Sequence, residues 1–377
     1  MNEIRLVKKE EMKDAVASAD AIFRDSEMIS MQSAFPFIFS ADVSHSYGLF
    51  ENERLLVFMG LVPANVQLGN ARLSVFSLGS VYSVEAARNR GYAGEVLAEI
   101  KRYGRKAGAS LLLVSGDGPL YARAGCRKFG EAYEFTLKRG FTESLTDIRK
   151  DYQFGEALHG DVLRLHEIAA GRYSAYEQSL WDFSVLIKTE ADISGKKMKQ
   201  RVYAAKQNGI PVAFVVMGLP EGSPEAAPVV VEWAGEAVAV LSLLSYVMTE
   251  ADLEQVSITV SGHEKELIGE LRLIPAEKKR NQGTVYIFDA ERLFDQLRPY
   301  FAEIDPTAAT SLSIANAVDS GAILTLPGLP EAELTHEELV SLLFDPEPET
   351  RLSEEWKEAT ARRFPLPFPY TNGLNFV

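Results

Sequence analysis

Leu78-Gly79-Ser80-Val81-Tyr82-Ser83-Val84-Glu85-Ala86-Ala87-Arg88-Asn89-Arg90-Gly91-Tyr92-Ala93-Gly94 is the stretch from which the rest of this chain can be read. An apolar strand runs into a short basic turn containing glycine, and a helix opens at about Tyr92 with Val96, Leu97, Ile100 and Tyr103 on one side. Gly108 is a natural stop for that helix. Ser110 to Val114 then reads as a short strand buried on both faces. After it comes a turn, Ser115-Gly116-Asp117-Gly118-Pro119-Leu120-Tyr121-Ala122-Arg123-Ala124-Gly125, carrying one ionisable phenol. Free N–H groups and the positive end of the helix dipole, next to Arg88 and Arg90, favour an anion at the turn. Gly91 lets a ligand approach the backbone and Ala93 keeps the first helical turn small. The bland alternative is a basic helix start with a turn glycine. No Gly-x-Gly-x-x-Gly or Gly-x-x-x-x-Gly-Lys-Ser/Thr pattern is present, so dinucleotide and nucleoside-triphosphate sites are poorly supported.

On the N-terminal side, Ile4 to Val7 suits a strand. Glu10 to Asp25 suits an amphipathic helix with Met12, Val16, Ala19, Ile22 and Phe23 on its apolar face. The Met- and Phe-rich run from Asp25 to Phe39 reads as core or dimer packing, with a pocket wall as the alternative. Strands are expected over 45–50, 54–61, 71–76 and 79–84, with Asn52-Glu53 and Gly69-Asn70 as hairpin turns. Glu134 to Lys138 is expected to close this unit. Together these elements make an α+β domain of roughly 140 residues.

From about Phe141 the element order recurs in weaker form. Strands are expected at 202–206, 212–217, 229–233, 255–260 and 284–288, a surface loop over 219–228, and a buried helix over 236–248. An internal duplication is the economical reading. Where the first unit has its basic turn, the second has only Ala234-Gly235-Glu236, with no arginine and too few residues for a cradle. From Asp289, a helix N-cap, the chain continues through a Thr335-His336-Glu337-Glu338 capping box and a Ser353 cap. It ends Phe364-Pro365-Leu366-Pro367-Phe368-Pro369-Tyr370-Thr371-Asn372-Gly373-Leu374-Asn375-Phe376-Val377, a tail too apolar to be left in water.

At 377 residues the chain exceeds one comfortable core, and its net charge of −14 disfavours nucleic acid and anionic membranes as partners. The N-terminus lacks a signal-peptide core, and the longest apolar run is too short to span a bilayer. Cys126 is the only cysteine. It excludes an intrachain disulfide, reads as a small core residue, and fits a reducing cytoplasm. The scattered histidines show no metal-ligand spacing, and no metal is expected.

The quoted residues resemble the acetyl-coenzyme A site of the Gcn5-related N-acetyltransferases (GNAT), whose loop is Gln/Arg-x-x-Gly-x-Gly/Ala. Arg88, Gly91 and Ala93 stand at its defining positions. The Ser-Gly-acidic-Gly and Tyr-x-Arg-x-Gly pattern of 115–125 resembles the Eis-like (enhanced intracellular survival) branch, although Cys126 stands where an aromatic residue is usual. That resemblance implies a GNAT acetyltransferase domain over 1–140, a degenerate GNAT-like domain over 141–288 and a sterol-carrier-like C-terminal α/β domain over 289–377. With fewer than 100 residues after Asp289, a trimmed form of that last domain is expected. It implies acetyl-CoA as co-substrate, held by Val81, Ser83, Val84, Arg88, Asn89, Arg90, Gly91, Tyr92, Ala93 and Gly94, and direct attack of a primary amine, on a small molecule or a lysine side chain. It implies Tyr121 as the acid at the leaving thiolate, the α-carboxylate of Val377 as base, a cytoplasmic location and a homo-oligomer, a trimer or hexamer. The rival reading is a non-catalytic acyl-CoA or lipid-binding sensor.

Overall fold

A computed structural model of the chain describes residues 2–42, 44–141, 152–220, 227–305, 311–317 and 321–377. Strands β1 (Asn2–Leu6), β2 (Tyr47–Glu51), β3 (Arg54–Leu68), β4 (Ala71–Ser83) and β5 (Leu111–Val114) lie side by side in the first sheet. The β2–β3 turn is built as its residues require, with Asn52 and Glu53 both at positive φ (50° and 65°). All pairings are antiparallel except β4–β5.

The two strands expected over 71–76 and 79–84 are one strand. Its register against β3 slips between Phe58 and Gly60, and Ser80 sits at φ 50°. This bulge re-aims the strand without ending it. The helix Met12–Phe23 buries Met12, Ala15 and Ala19 but leaves Ile22 and Phe23 39% and 38% exposed. The apolar face expected from the sequence is therefore shifted toward Ala15 and does not reach the last turn. Met31, Ala34, Phe35, Ile38 and Phe39 are buried, as the core reading of that run requires.

The second sheet collects β6 (Ala132–Lys138), β7 (Gln153–Glu156), β9 (Met198–Gln207), β10 (Ile210–Pro220), β11 (Val229–Gly235), β12 (Gln255–Ser261) and β13 (Ala276–Lys279), in the order β13-β6-β12-β11-β10-β9-β7. Strand β8 (Ser174–Glu177) leaves this order and pairs with the distal half of β3. The 219–228 loop falls largely outside the described residues. The helix Ala237–Glu250 is buried on nearly every side.

Two closing strands are exchanged relative to the sequence reading. β6 pairs with β12 and β13 in the second sheet, and β14 (Thr284–Ile287) pairs with β5 in the first. Each is a short run that offers the same ladder to either edge, so local patterning does not choose between sheets. The connecting segments choose. They cross at an Asn281 N–H to Phe129 O bond (3.0 Å) and at Gly283, whose φ of 75° folds it onto Val114.

Beyond it, β15 (Ser313–Asn316), β16 (Ala322–Thr325) and β17 (Ala332–Leu334) form a small antiparallel sheet. The helix Ala290–Ile304 is capped by Asp289, His336–Phe344 by the Thr335/Glu338 box, and Glu354–Thr360 by Ser353, all as read from sequence. One apolar cluster joins this part to the first sheet, and it takes in Phe364, Leu366 and Phe368 of the tail. Among the described residues no helix is long and apolar enough to cross a membrane.

Candidate active site

The expected cradle is formed at the end of β4. A short turn, Glu85–Ala87, is followed by Asn89 at φ 60° and Gly91 at φ 80°, and Gly91 caps the helix Tyr92–Ala107. A side chain at Gly91 would meet nothing within 4 Å, so glycine answers to the left-handed backbone and not to crowding. The N–H groups of Gly94 and Glu95 turn back to the Gly91 carbonyl (2.9 and 3.3 Å). Those of Tyr92 and Ala93, with no helical carbonyl behind them, face outward.

These residues floor a cleft of about 510 Å³. Among the described residues its charged lining is Arg88, Lys101 and Arg123, with no carboxylate, and Lys101 Nζ donates to Ala124 O (2.9 Å). In a chain of net charge −14 this is a local reversal of sign. Arg123 is the arginine of the Tyr-x-Arg-x-Gly pattern. Lys101 was not singled out in the sequence, yet Gly94, Ala98 and Lys101 recur at helical spacing and share the cradle face. Ser83, Asn89 and Gly94 line the cleft with them, whereas Val81, Val84 and Arg90 do not. Arg90 lies over the Tyr92 ring at 4.6 Å.

Val84 donates to Leu56 O (2.9 Å) on the β3 side. Strand alternation therefore aims the amides of Ser83 and Val81 at the opposite edge. On that edge β5 departs: Ser115 N–H still bonds Leu78 O (3.0 Å), and the chain then turns into the helix Pro119–Arg123. The result is a wedge between β4 and β5 with two backbone donors on one wall. Tyr121 closes the wedge. It packs on the same apolar cluster as Val81, Val84 and Ala93, and its ring lies so near Gly116 that a Cβ there would come within 2.8 Å. Burial, with Cys126 beside it, pushes the Tyr121 hydroxyl up to about 12. Cys126 is itself buried in this cluster, and burial raises its thiol to about 11. It is the core residue its sequence context indicates.

The last residue of the chain arrives at the same wedge from the other face of the sheet. A side chain on Gly79 would overlap the terminal carboxylate of Val377 and come within 2.9 Å of Ser115 Oγ. Gly79 thus meets both Ser115 and the final residue, and Gly116, next to Ser115, meets the Tyr121 ring, although Gly79 and Val377 lie far apart in sequence.

On the tail side of the sheet are two further cavities. A small apolar one, about 30 Å³, is bounded by Phe35, Ile38, Phe376 and Val377. A larger one of about 360 Å³ opens beside β11, and Tyr176, Leu374 and Asn375 border both. Carboxylates in the larger cavity, Glu134, Glu177, Asp192 and Glu232, outnumber its two cations, Arg172 and Lys196. Arg172 is bound by Glu232 and Glu264 (both 2.8 Å) and lies over Trp233 at 4.9 Å. Among the described residues no group of three or more His, Cys, Asp or Glu is placed to hold a metal ion.

Residues 3–129 match the family model described as "Acetyltransferase (GNAT) domain". The N-terminal domain is a GNAT domain. Acyl transfer is therefore its class of chemistry. No curated protein matches the chain. Solved structures similar to it over most of its length include a GCN5-related N-acetyltransferase from Anabaena variabilis (11% identity, 98% of this chain and 99% of that one, TM-score 0.67) and Eis1 from Mycobacterium abscessus (11%, 99% and 100%, 0.64). A probable N-acyltransferase from Enterococcus faecalis is similar at 15% identity over 87% of this chain and 86% of that one, with a TM-score of 0.64. At such identity the likeness speaks for the fold, an α+β chain carrying a GNAT domain within an Eis-like layout.

Proposed function

We propose that this chain is an N-acetyltransferase that moves the acetyl group of acetyl-CoA to a primary amine by direct attack in a ternary complex. The observation that carries this reading is the cleft at the start of the helix Tyr92–Ala107, lined among the described residues by three cations and no carboxylate, with the end of the chain seated at Gly79 of β4, the strand before it.

The cleft fits the donor. The Tyr92 and Ala93 amides, the dipole of the helix they open and Arg88 suit a pyrophosphate, and Gly91 leaves its approach clear. When bound, acetyl-CoA supplies an activated thioester. The Val81 and Ser83 amides donate to the thioester oxygen as charge builds on it. Val377 takes the proton that the attacking nitrogen sheds as the N–C bond forms. Tyr121 gives its hydroxyl proton to the sulfur as the C–S bond breaks. A proton passed from the Val377 carboxyl to the Tyr121 phenolate then resets both groups. The amine arrives as an ammonium near pKa 10, for which a carboxylate near 3.5 is a weak base, so that first proton leaves to solvent through water before attack, and Val377 takes only the second. The burial that lifts Tyr121 also disfavours a bare thiolate beside it, which keeps donor and acceptor matched.

The acceptor amine enters on the tail side, where Tyr176, Leu374 and Asn375 border both cavities. The three-part division at 140/141 and 288/289 is part of the proposal, with one strand of each of the first two units exchanged.

Thiol release from acetyl-CoA, followed across a panel of primary amines, tests this function. Amine-dependent release of one coenzyme A per amine acetylated is expected. Binding of acetyl-CoA with no release on any amine would give the chain to the sensor reading.

A further inference from the structure

The tail reaches the wedge by a guided path. Phe364, Leu366 and Phe368 are fixed in the core. Asn281 then holds the chain with both ends of its amide: Nδ2 donates to Pro369 O (2.9 Å), and Thr371 N–H donates to Oδ1 (2.9 Å). Asn281 is 7% exposed, and it lies where the two sheets exchange strands. Thr371 adds a hydroxyl bond to Gln282 O (2.6 Å). Farther on, Gly373 slots against β11, where a Cβ would come within 2.9 Å of Glu232 Oε2. Leu374 is buried with Phe214 and Ala234 of the second sheet, and Phe376 packs beside Phe35 at 6.3 Å. Six residues past Thr371, Val377 ends in the space that Gly79 leaves by lacking a side chain.

We propose that Gly79 and Asn281 are positioning residues that register the terminal carboxylate: Asn281 clamps the tail upstream and Gly79 seats its last atom. The inference deepens the proposed function and rests, for its catalytic meaning, on Val377 acting as the base. Its physical content is separate. An extended chain advances about 3.4 Å per residue, so a slip of one residue at Asn281 would carry the carboxylate out of the wedge or drive it into β4. A tail held only by apolar packing has no such register. Gly79 is not in the left-handed region, so alanine can take its backbone conformation, and the added methyl group acts only by filling the seat.

The experiment uses the full chain and reads two quantities: release of Val377 by a carboxypeptidase, and kcat against KM for acetyl-CoA. In the wild type Val377 should be protected. Gly79→Ala should release it at least about tenfold faster, because the seated state is lost while the fold remains. It should lower kcat by about tenfold or more while KM for acetyl-CoA stays within about twofold. In a chain lacking Val377, Gly79→Ala should lower kcat no further. Asn281→Asp, which keeps the acceptor and removes the Nδ2 donor, should also expose Val377, and it serves if Gly79→Ala lowers the melting temperature. Wild-type protection of Val377 in both variants would overturn the proposal. Faster release from a protein that acetylates no amine would uphold the seat and sink the proposed function, so the two failures are distinguishable.

Discussion

The two large sheets share an order of elements, and the turns that follow β4 and β11 show why only one of them suits an anion. In the first, Val84 to Gly91 separate the strand from its helix, which gives the backbone room for two left-handed residues and places an arginine beside the helix start. In the second, Glu236 alone separates β11 from the helix Ala237–Glu250. Glu236 is the N-cap residue, and its carboxylate caps no backbone amide but accepts from the Tyr152 hydroxyl (3.3 Å), which puts a negative charge beside the turn. Gly235, at φ 114°, is pressed against Val212 and Ala213, where a Cβ would come within 2.4 Å of the Val212 carbonyl oxygen. Both sheets nevertheless keep a wedge. β11 and β12 pair in parallel only at Val229 and Ser257, and the tail runs along β11 where they part. Under the proposed function, one wedge is left for chemistry and the other guides the tail that reaches it.

The comparison can be broken or sharpened in order of effect. Tyr121→Phe should lower kcat by about 10²- to 10⁴-fold with acetyl-CoA affinity retained, and wild-type turnover would remove the acid from the first wedge. Because its hydroxyl is held near 12, Tyr121 stays protonated at all lower pH. The wild-type rate should therefore show no loss through this group between pH 8 and 10. Gly91→Val forces a β-branched residue to positive φ, a strain of about 1–3 kcal/mol, and should raise KM for acetyl-CoA about 10- to 100-fold. An unchanged KM would say that the cradle does not hold the donor.

Glu236→Lys reverses the charge at the second turn and should create no binding of coenzyme A, because the backbone there still lacks room. Measurable binding at that turn would mean that charge, not linker length, separates the sheets. The smallest effect is on stability. Burial lowers His263, in the second sheet's domain, to about 4, against about 6.5 when unfolded. The unfolded chain then binds the extra proton, so the stability this residue contributes is full above pH 6.5 and is lost as pH falls toward 4. His263→Gln should flatten that slope by roughly 1–3 kcal/mol in denaturant titrations, and an identical slope would contradict the assignment.

Local chemistry made much of this legible. Asn52-Glu53, Gly108, the Thr335/Glu338 box and the Asp289 and Ser353 caps each act within a few residues, so their sequence signals are sufficient. The cradle is legible for the same reason, since Arg88 to Gly94 form a contiguous unit. Lys101 could have been found from its helical spacing to Gly94 and Ala98. Partner choice over long separations was not legible. β6 and β14 carry patterns that suit either sheet, and β8 joins β3 across more than a hundred residues. The seat at Gly79 is a contact between position 79 and the final residue. No periodicity announces it, although the apolar run to Val377 showed that the tail must dock.

The central claim is that one wedge per chain, opened by Val81 to Gly94, takes the coenzyme. Calorimetric titration with coenzyme A, read together with amide hydrogen exchange, tests it most directly. The account predicts one equivalent bound per chain, with new protection over 81–94 and none over 234–240. Two equivalents, or protection at Ala234 to Glu236, would contradict it.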